Sequence, residues 1–488
     1  MTAAHAQNNQ PNPILAAKQG MSNKQAYIIF GVVSLALIMS AIDSTIVSVS
    51  LPAILTELHT NLAYVGWTIT GYQFAQCIAM PIVGKLSDEW GRKRIFLGAV
   101  LIFTASSLAA GFAPNIYWLI LFRILQGFGG GSFMPSATGI IAECFTGKRR
   151  TSAIGLFNSI FPIGSIIGPN LGGFLVDHYS WRWIFFVNIP IGAALLLLGT
   201  LILPKFSSAS TNRRIDLLGA ALFSAAILSV LYAITAWANN PGQMGVITWV
   251  LFAVGAAFLA VFVRHESKVE QPMIELKLLK WRPFLAANIY NFMFGFVALG
   301  FFSLIPYYAT AAYGMTAEQT GLLLTPRSVS MIVVSTITSL FIIRSRYRAP
   351  MIAGLIIMSL GLFLLSRGYH DVSILGADFQ NLTLLSVIIA LGGIGMGIAN
   401  PASNNAILDL MPEKVAAVIG LRGMFRVTGG VLGTAIVVLF LSHFQDKGIG
   451  FQQISLIFSI FLLLIIPVVF LIPDSAHERQ VHLNAGHE

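Results

Sequence analysis

Residues 27–55 read Tyr27-Ile-Ile-Phe-Gly-Val-Val-Ser-Leu-Ala-Leu-Ile-Met-Ser-Ala-Ile-Asp43-Ser-Thr-Ile-Val-Ser-Val-Ser-Leu-Pro-Ala-Ile-Leu55, and Asp43 is the only charge in the run. An apolar stretch of about 20 residues suffices to cross a bilayer as a helix. Hydrocarbon offers the backbone no partners, so such a stretch must satisfy its own amides, which a helix does. An ionised carboxylate inside it costs about 2.5–3.5 kcal/mol on insertion scales. Side chains that carry this cost usually face a cavity and handle ions, protons or substrate. The run thus predicts both a helical membrane fold and a polar interior.

The rest of the chain agrees. Its 488 residues are 56% hydrophobic and 10% charged, with a mean hydropathy of +0.79, whereas soluble chains run near 25% charged. Residues 1–26 are polar, lack an apolar core and read as a cytoplasmic tail rather than a cleaved signal. The two cysteines, Cys77 and Cys144, lie in or beside apolar runs, so no disulfide framework is implied.

Further runs fall at roughly 62–84, 94–113, 116–142, 151–176, 183–203, 216–237, 245–263, 284–313, 317–343, 349–367, 381–409, 415–443 and 451–472, making fourteen with the first. Among 29 Lys and Arg, one set of loops holds only Arg182, Arg367 and Lys447, and the spans hold Arg123, Arg327, Arg422 and Arg426. The remainder lie in the alternate loops and the tails. That asymmetry makes the basic side, and both termini, cytoplasmic. The net charge of +10 is a topology signal, and no nucleic-acid partner is expected.

The chain also repeats itself. Gly127-Phe-Gly129-Gly-Gly131-Ser-Phe-Met-Pro135 in span four matches Gly393-Ile-Gly395-Met-Gly397-Ile-Ala-Asn-Pro401 in span twelve. In the next span of each half, Ile154-Gly155-Leu156, Gly164 and Gly168 match Ile419-Gly420-Leu421, Gly429 and Gly433. Small residues at such spacing let membrane helices approach closely. The expectation is an all-α membrane protein with 14 transmembrane helices: two six-helix pseudo-symmetric bundles at 27–203 and 284–472, a linker at 204–283 with two inserted helices, and a tail at 473–488. Repeats of this kind enclose a midplane site and rock about it. The inserted helices should lie outside the translocation path.

Five stretches resemble the major facilitator superfamily, in its fourteen-span drug:proton antiporter branch. They are Ile42-Asp43-Ser-Thr-Ile-Val47 followed by Leu51-Pro52; Gly84-Lys-Leu-Ser-Asp88-Glu-Trp-Gly91-Arg92-Lys93-Arg94; Arg123-Ile-Leu-Gln126-Gly127; Gly164-x3-Gly168-Pro169-x2-Gly172-Gly173; and Trp181-Arg182-Trp183-Ile184-Phe-Phe-Val-Asn188-Ile-Pro190. The resemblance covers nearly the whole chain. It implies a proton-coupled exporter, a gating role for Gly84, Asp88, Gly91, Arg92 and Arg94, and an antiporter-type helix at Gly164, Gly168, Pro169, Gly172 and Gly173. The loop motif departs in the second half, where Arg344-Ser-Arg346-Tyr-Arg348 keeps basic charge but loses the Asp and Gly.

Depth can be read from the spacing. Asp43 lies roughly 14 Å from the outer end of its span and Arg123 roughly 10 Å from the same side, so an ion pair is feasible. Such a pair would act as a switch, since protonating Asp43 frees Arg123; a static salt bridge is the alternative. In the second half Arg327, Arg422 and Arg426 are intramembrane, and Arg422 and Arg426 share a helix face at i, i+4. Their repeat counterparts are Phe157 and Phe161. With one deep acid against four deep arginines, the cavity suits an anionic or zwitterionic substrate, unless carbonyls and Asn404 or Asn405 satisfy the arginines. The expected cavity residues are Phe157, Phe161, Arg327, Asn404, Arg422 and Arg426.

No His-Glu-x-x-His, Cys/His cluster or Gly-x4-Gly-Lys-[Ser/Thr] loop occurs. No metal and no cofactor are expected, the proton gradient being the drive, and catalysis is not. The reading is a proton-coupled exporter of small amphipathic compounds in a bacterial inner membrane, its partners a small-molecule substrate, the lipid bilayer and, left open, a periplasmic adaptor. The second reading is a dedicated exporter of an anionic metabolite, siderophore or lipid. A membrane-embedded enzyme or sensor is the third, disfavoured by the missing catalytic cluster.

Overall fold

The computed structural model describes residues 22–158, 160–204, 216–240, 242–342, 346–374, 377–411 and 415–474. The expected tails fall almost entirely outside them. The long helices are α1 (Asn23–Glu57), α2 (Trp67–Trp90), α3 (Arg92–Gly111), α4 (Ile116–Cys144), α5 (Ser152–His178), α6 (Trp183–Ile202), α7 (Leu217–Asn239), α8 (Val246–Glu266), α9 (Arg282–Tyr313), α10 (Ala317–Leu340), α11 (Arg348–Leu365), α12 (Asn381–Leu410), α13 (Val418–Ser442) and α14 (Lys447–Val469). A short antiparallel ladder, Val372–Ile374 against Ala377–Phe379, joins α11 to α12.

Twelve of these helices are long and apolar enough to cross a membrane. The fourteen expected from sequence therefore stand at twelve by that measure. The other two, α2 and α4, occupy the expected positions, but Gly, Ser, Gln and Arg dilute their apolar content. Both pack centrally, against one another and against α13 and α3 respectively.

The pairing of helices follows the sequence repeat. α1 packs on α5 as α9 packs on α13, α2 on α4 as α10 on α12, and α3 on α6 as α11 on α14. Two seams join the halves, α5 with α10 and α2 with α13, and they exchange under the same correspondence. Glycines permit the closest approaches. A Cβ on Gly164 or Gly168 of α5 would lie 2.4 Å from Ala41 Cβ or 2.1 Å from Thr45 Oγ1 of α1. On α13, a Cβ on Gly429 or Gly433 would lie 2.0 or 2.2 Å from the carbonyls of Phe292 and Phe296. There α9 leaves α-geometry for a π-turn at Phe296–Gly300 and a 3-10 turn at Phe301–Leu304. Such breaks cluster where a helix must accommodate a neighbour.

α7 and α8 pack mainly on each other, and α7 also lies against α13 and α2. Trp67 Nε1 donates to Thr235 Oγ1 at 2.8 Å, and Asn61 Nδ2 to Asn239 Oδ1 at 3.0 Å. The outer face of α8 exposes Val246, Ile247, Trp249 and Val250, which suits lipid.

Contacts across the two seams run from the end poor in basic residues to about mid-height. Asp177 accepts the first two amides of α10, Ala317 N at 3.1 Å and Glu318 N at 2.7 Å. Asn170 Nδ2 donates to Thr325 Oγ1 at 2.7 Å, and Cys77 Sγ lies 3.4 Å from Thr428 Oγ1. Toward the basic end, positions that a Cβ would occupy at Gly420 and Gly423 of α13 have nothing within 4 Å. The contacts that join the two halves thus include a charged clasp at the end poor in basic residues. Asp177 is a charged cap on a helix of the other half, and such caps contribute about 0.5–2 kcal/mol. Asp177→Ala should therefore shift the two-state population by roughly 2- to 30-fold toward the alternative opening. Distance distributions between spin labels at the two ends of the bundle would report it; unchanged distributions would show that Asp177 does not bias the closure.

Candidate functional site

Asp43 sits mid-helix in α1, 0% exposed. Its carboxylate accepts from three side chains. Arg123 NH1 of α4 approaches Oδ2 at 2.6 Å, while Gln126 Nε2 of α4 and Asn188 Nδ2 of α6 approach Oδ1 at 2.7 and 2.9 Å. Hydrogen bonds to a charged group contribute about 1.5–3 kcal/mol each, so the three together can offset its desolvation. Ser107 Oγ of α3 ties the amides together, accepting from Gln126 and Asn188 at 3.1 Å each and donating to the Phe185 carbonyl at 2.8 Å.

Arg123 is 1% exposed and makes several further contacts. Beyond Asp43, NH1 donates to Gln126 Oε1 at 2.7 Å, Nε donates to the Thr68 carbonyl at 3.0 Å, and the guanidinium lies 4.0 Å over the Tyr72 ring. The pair expected from depth alone is therefore present, inside a network of α1, α2, α3, α4 and α6. Gln126, Asn188, Ser107 and Tyr72 were not foreseen as members, although two of them sit inside quoted motifs. The Asn188 Oδ1 atom is buried without a partner.

The second polar group lies in the other half. Arg422 NH2 and Arg426 NH1 of α13 both donate to Asn400 Oδ1 of α12, each at 2.9 Å. The expected acceptors were Asn404 or Asn405; the helix phase instead presents Asn400, one turn earlier, and Asn404 is half-buried without such a role. Two nitrogens bound to one oxygen hold the cations close, and unit charges about 6 Å apart repel by roughly 3 kcal/mol at an effective dielectric of about 20. Arg426 also lies 5.1 Å from the Phe294 ring, and Arg327 lies 5.3 Å from Phe302. Among the described residues no carboxylate pairs with Arg327, Arg422 or Arg426.

Of the two expected aromatic cavity residues, Phe157 is 0% exposed and packed in the core of the first half with Phe133 and Ile160. It lines no cavity: pseudo-symmetry carried the position across but not the facing direction. Phe161 is 41% exposed.

In the loop motif, Gly91 takes φ +91°, a region open to glycine, where α2 turns into α3. Arg92 Nε meets Glu143 Oε1 of α4 at 2.9 Å. Lys93 Nζ donates to the Thr200 carbonyl at 2.8 Å. Arg94 is exposed and Gly84 makes only ordinary contact with Pro135. The Asp88 side chain lies outside the described set. In the antiporter-type motif, Gly164, Gly168 and Gly172 face α1, the helix of Asp43, whereas Gly173 and the Pro169 carbonyl face α10. The Trp181-Arg182 signature is a clamp: Trp181 Nε1 and Arg182 NH2 both donate to Glu57 at 2.7 and 3.0 Å, and Arg182 also reaches the carbonyls of Gly111 and Ala113.

Comparison with known proteins bears on this arrangement. A family model described as Major Facilitator Superfamily matches residues 33–262 and 285–487. The multidrug transporter protein MdtP of Bacillus subtilis is 30% identical over 423 residues, covering 86% of this chain and 76% of that protein. Multidrug resistance protein 3 of the same organism is 32% identical over 416 residues, covering 84% and 78%. Among solved structures, a bacterial homologue of the human lysosomal transporter Spinster, crystallised inward-facing and unoccupied, aligns with a TM-score of 0.64 at 16% identity over 92% of this chain and 97% of that one. The family match spans both halves and the helical pairing repeats between them, so the chain belongs to the Major Facilitator Superfamily and is a multi-pass membrane transporter.

Proposed function

We propose that this transporter is a proton-coupled antiporter that exports small amphipathic compounds by alternating access. The observation that carries the reading is the Asp43–Arg123 contact at 2.6 Å, buried and ringed by neutral donors. Protonating Asp43 removes the charge that Arg123 balances and frees the guanidinium for its other partners. Deprotonation restores the pair. The two states hold α1 and α4 in different mutual constraint, which is what coupling a proton to rocking requires. The names of MdtP and multidrug resistance protein 3 support efflux of drug-like molecules.

In this reading α2 and α4 also cross the membrane, giving fourteen spans. Residues 27–203 and 284–472 are the moving halves, and 204–283 carries α7 and α8 at their periphery. The basic end is cytoplasmic with both termini, in a bacterial inner membrane, and substrate is collected from that side. Gly84, Asp88, Gly91, Arg92 and Arg94 form the cytoplasmic gate.

The test uses proteoliposomes holding the full chain and an imposed pH gradient. Rhodamine 123 and fluorescein share a xanthene body and differ in charge. Movement of at least one dye that follows the gradient and collapses with a protonophore is expected. Dye movement indifferent to the protonophore would overturn the proton coupling.

A further inference from the structure

The cluster of Arg422, Arg426, Asn400 and Tyr290 lies where the two halves part. Arg422 and Arg426 flank Met424, and Met424 and Thr428 are where α13 meets Cys77 of α2. Beside Arg422, an added carbon at Gly423 would meet nothing within 4 Å. The two arginines are half-buried.

Their hydrogen bonding is incomplete. Each guanidinium has five donors. The side-chain bonds they make converge on the single oxygen of Asn400, whose two lone pairs are then used. Arg422 Nε is buried without a partner. Tyr290 of α9 is 1% exposed, its hydroxyl has no partner, and it lies within electrostatic range of both arginines. Phe294, stacked on Tyr290 at 6.2 Å and under Arg426, gives the cluster an apolar wall. Two adjacent cations that share one neutral acceptor, beside an unused hydroxyl donor, gather several unsatisfied donors in one place. Guanidinium forks match carboxylate, phosphate and sulfonate oxygens in paired geometry.

We propose that Arg422 and Arg426, with Tyr290, bind the anionic group of an amphipathic substrate, a carboxylate, phosphate or sulfonate whose apolar body lies against Phe294. The proposal rests on the reading of the chain as an exporter and names the substrate class that its second half selects. The same oxygens could arrive on a lipid headgroup, and the experiment separates the two sources.

Full-length protein in nanodiscs of pure phosphatidylcholine is titrated with fluorescein and, separately, rhodamine 123, followed by fluorescence anisotropy. Fluorescein is expected to bind, and Arg422→Gln to weaken it by roughly 10- to 100-fold, as loss of a charge-assisted fork does. Arg422→Lys should recover part of the loss, since it restores charge without the fork. Rhodamine 123 affinity should hold or rise. Gly98→Ala, where the added carbon meets nothing within 4 Å, should leave fluorescein affinity within about 3-fold, the least that loss of one neutral hydrogen bond would weaken it. Equal loss of both dyes in folded Arg422→Gln, or unchanged fluorescein binding in both Arg422→Gln and Arg426→Gln, would overturn the proposal. So would phosphatidylglycerol raising the melting temperature through Arg422 while fluorescein fails to bind, since that assigns the site to lipid. Equilibrium binding needs no gradient, so failed gradient-driven transport with Arg422-dependent binding would fault the coupling and spare the site.

Discussion

Asp43→Asn is expected to give a folded, inserted protein whose gradient-driven efflux falls to the level of cells lacking the transporter. Asn keeps the shape of the side chain and can neither bind nor release a proton at neutral pH. Removing one member of a buried ion pair costs about 3–5 kcal/mol when the other is stranded. Arg123 is not stranded here, because Gln126 Oε1 at 2.7 Å, the Thr68 carbonyl at 3.0 Å and the Tyr72 ring at 4.0 Å remain. The variant should therefore melt lower than wild type yet run as a single peak in size-exclusion chromatography. Arg123→Lys should retain a fraction of efflux, because an ammonium cannot reach Asp43, Gln126 and Thr68 in the geometry of the guanidinium. Normal efflux by well-expressed Asp43→Asn would show the pair to be structural.

Gly295→Val is expected to abolish folding. A Cβ on Gly295 would lie 1.9 Å from the Arg426 carbonyl oxygen, and that obstacle is backbone, which no rotamer can clear. Ordinary overpacking costs about 1–3 kcal/mol, and here the α9–α13 seam must open along the line where Gly300 and Gly433 also touch. Detergent extracts of Gly295→Val should yield aggregate in place of the monodisperse peak. Gly98→Ala is the control: it has nothing within 4 Å of the added carbon and should match or exceed wild-type stability, since Gly in a helix is about 0.8–1 kcal/mol worse than Ala. A monodisperse Gly295→Val protein with wild-type melting would refute the account of the seam.

Much of this architecture was legible in the chain. Apolar runs located every long helix, because hydrocarbon enforces length and internal bonding. The repeat of Gly164 and Gly168 with Gly429 and Gly433 anticipated close packing of α5 and α13, but not that α1 and α9 are the neighbours. Helix rise placed Asp43 and Arg123 at similar depth, and a lone acid facing a lone base in one half had one obvious partner. What failed depended on facing direction. Asn400 and Asn404 are one turn apart on α12, and only the crossing with α13 decides which meets Arg422. Phe157 inherited a cavity role from its repeat counterpart, yet α5 turns it into the core of the first half. Gln126, Asn188 and Ser107 are neutral, so no burial cost of an ionised group singled them out. Asp177 lies just past the apolar run 151–176, and nothing in its neighbours indicates that it caps a helix of the other half.

The most direct test of the central claim measures protons and substrate together. Proteoliposomes are loaded with a pH-reporting dye and given a downhill gradient of whichever xanthene dye the transporter carries, with no imposed pH difference. Wild type should move protons opposite to the substrate, and Asp43→Asn should let substrate equilibrate without any proton flux. Proton flux that persists in Asp43→Asn, or wild-type substrate movement with no proton flux, would contradict the account.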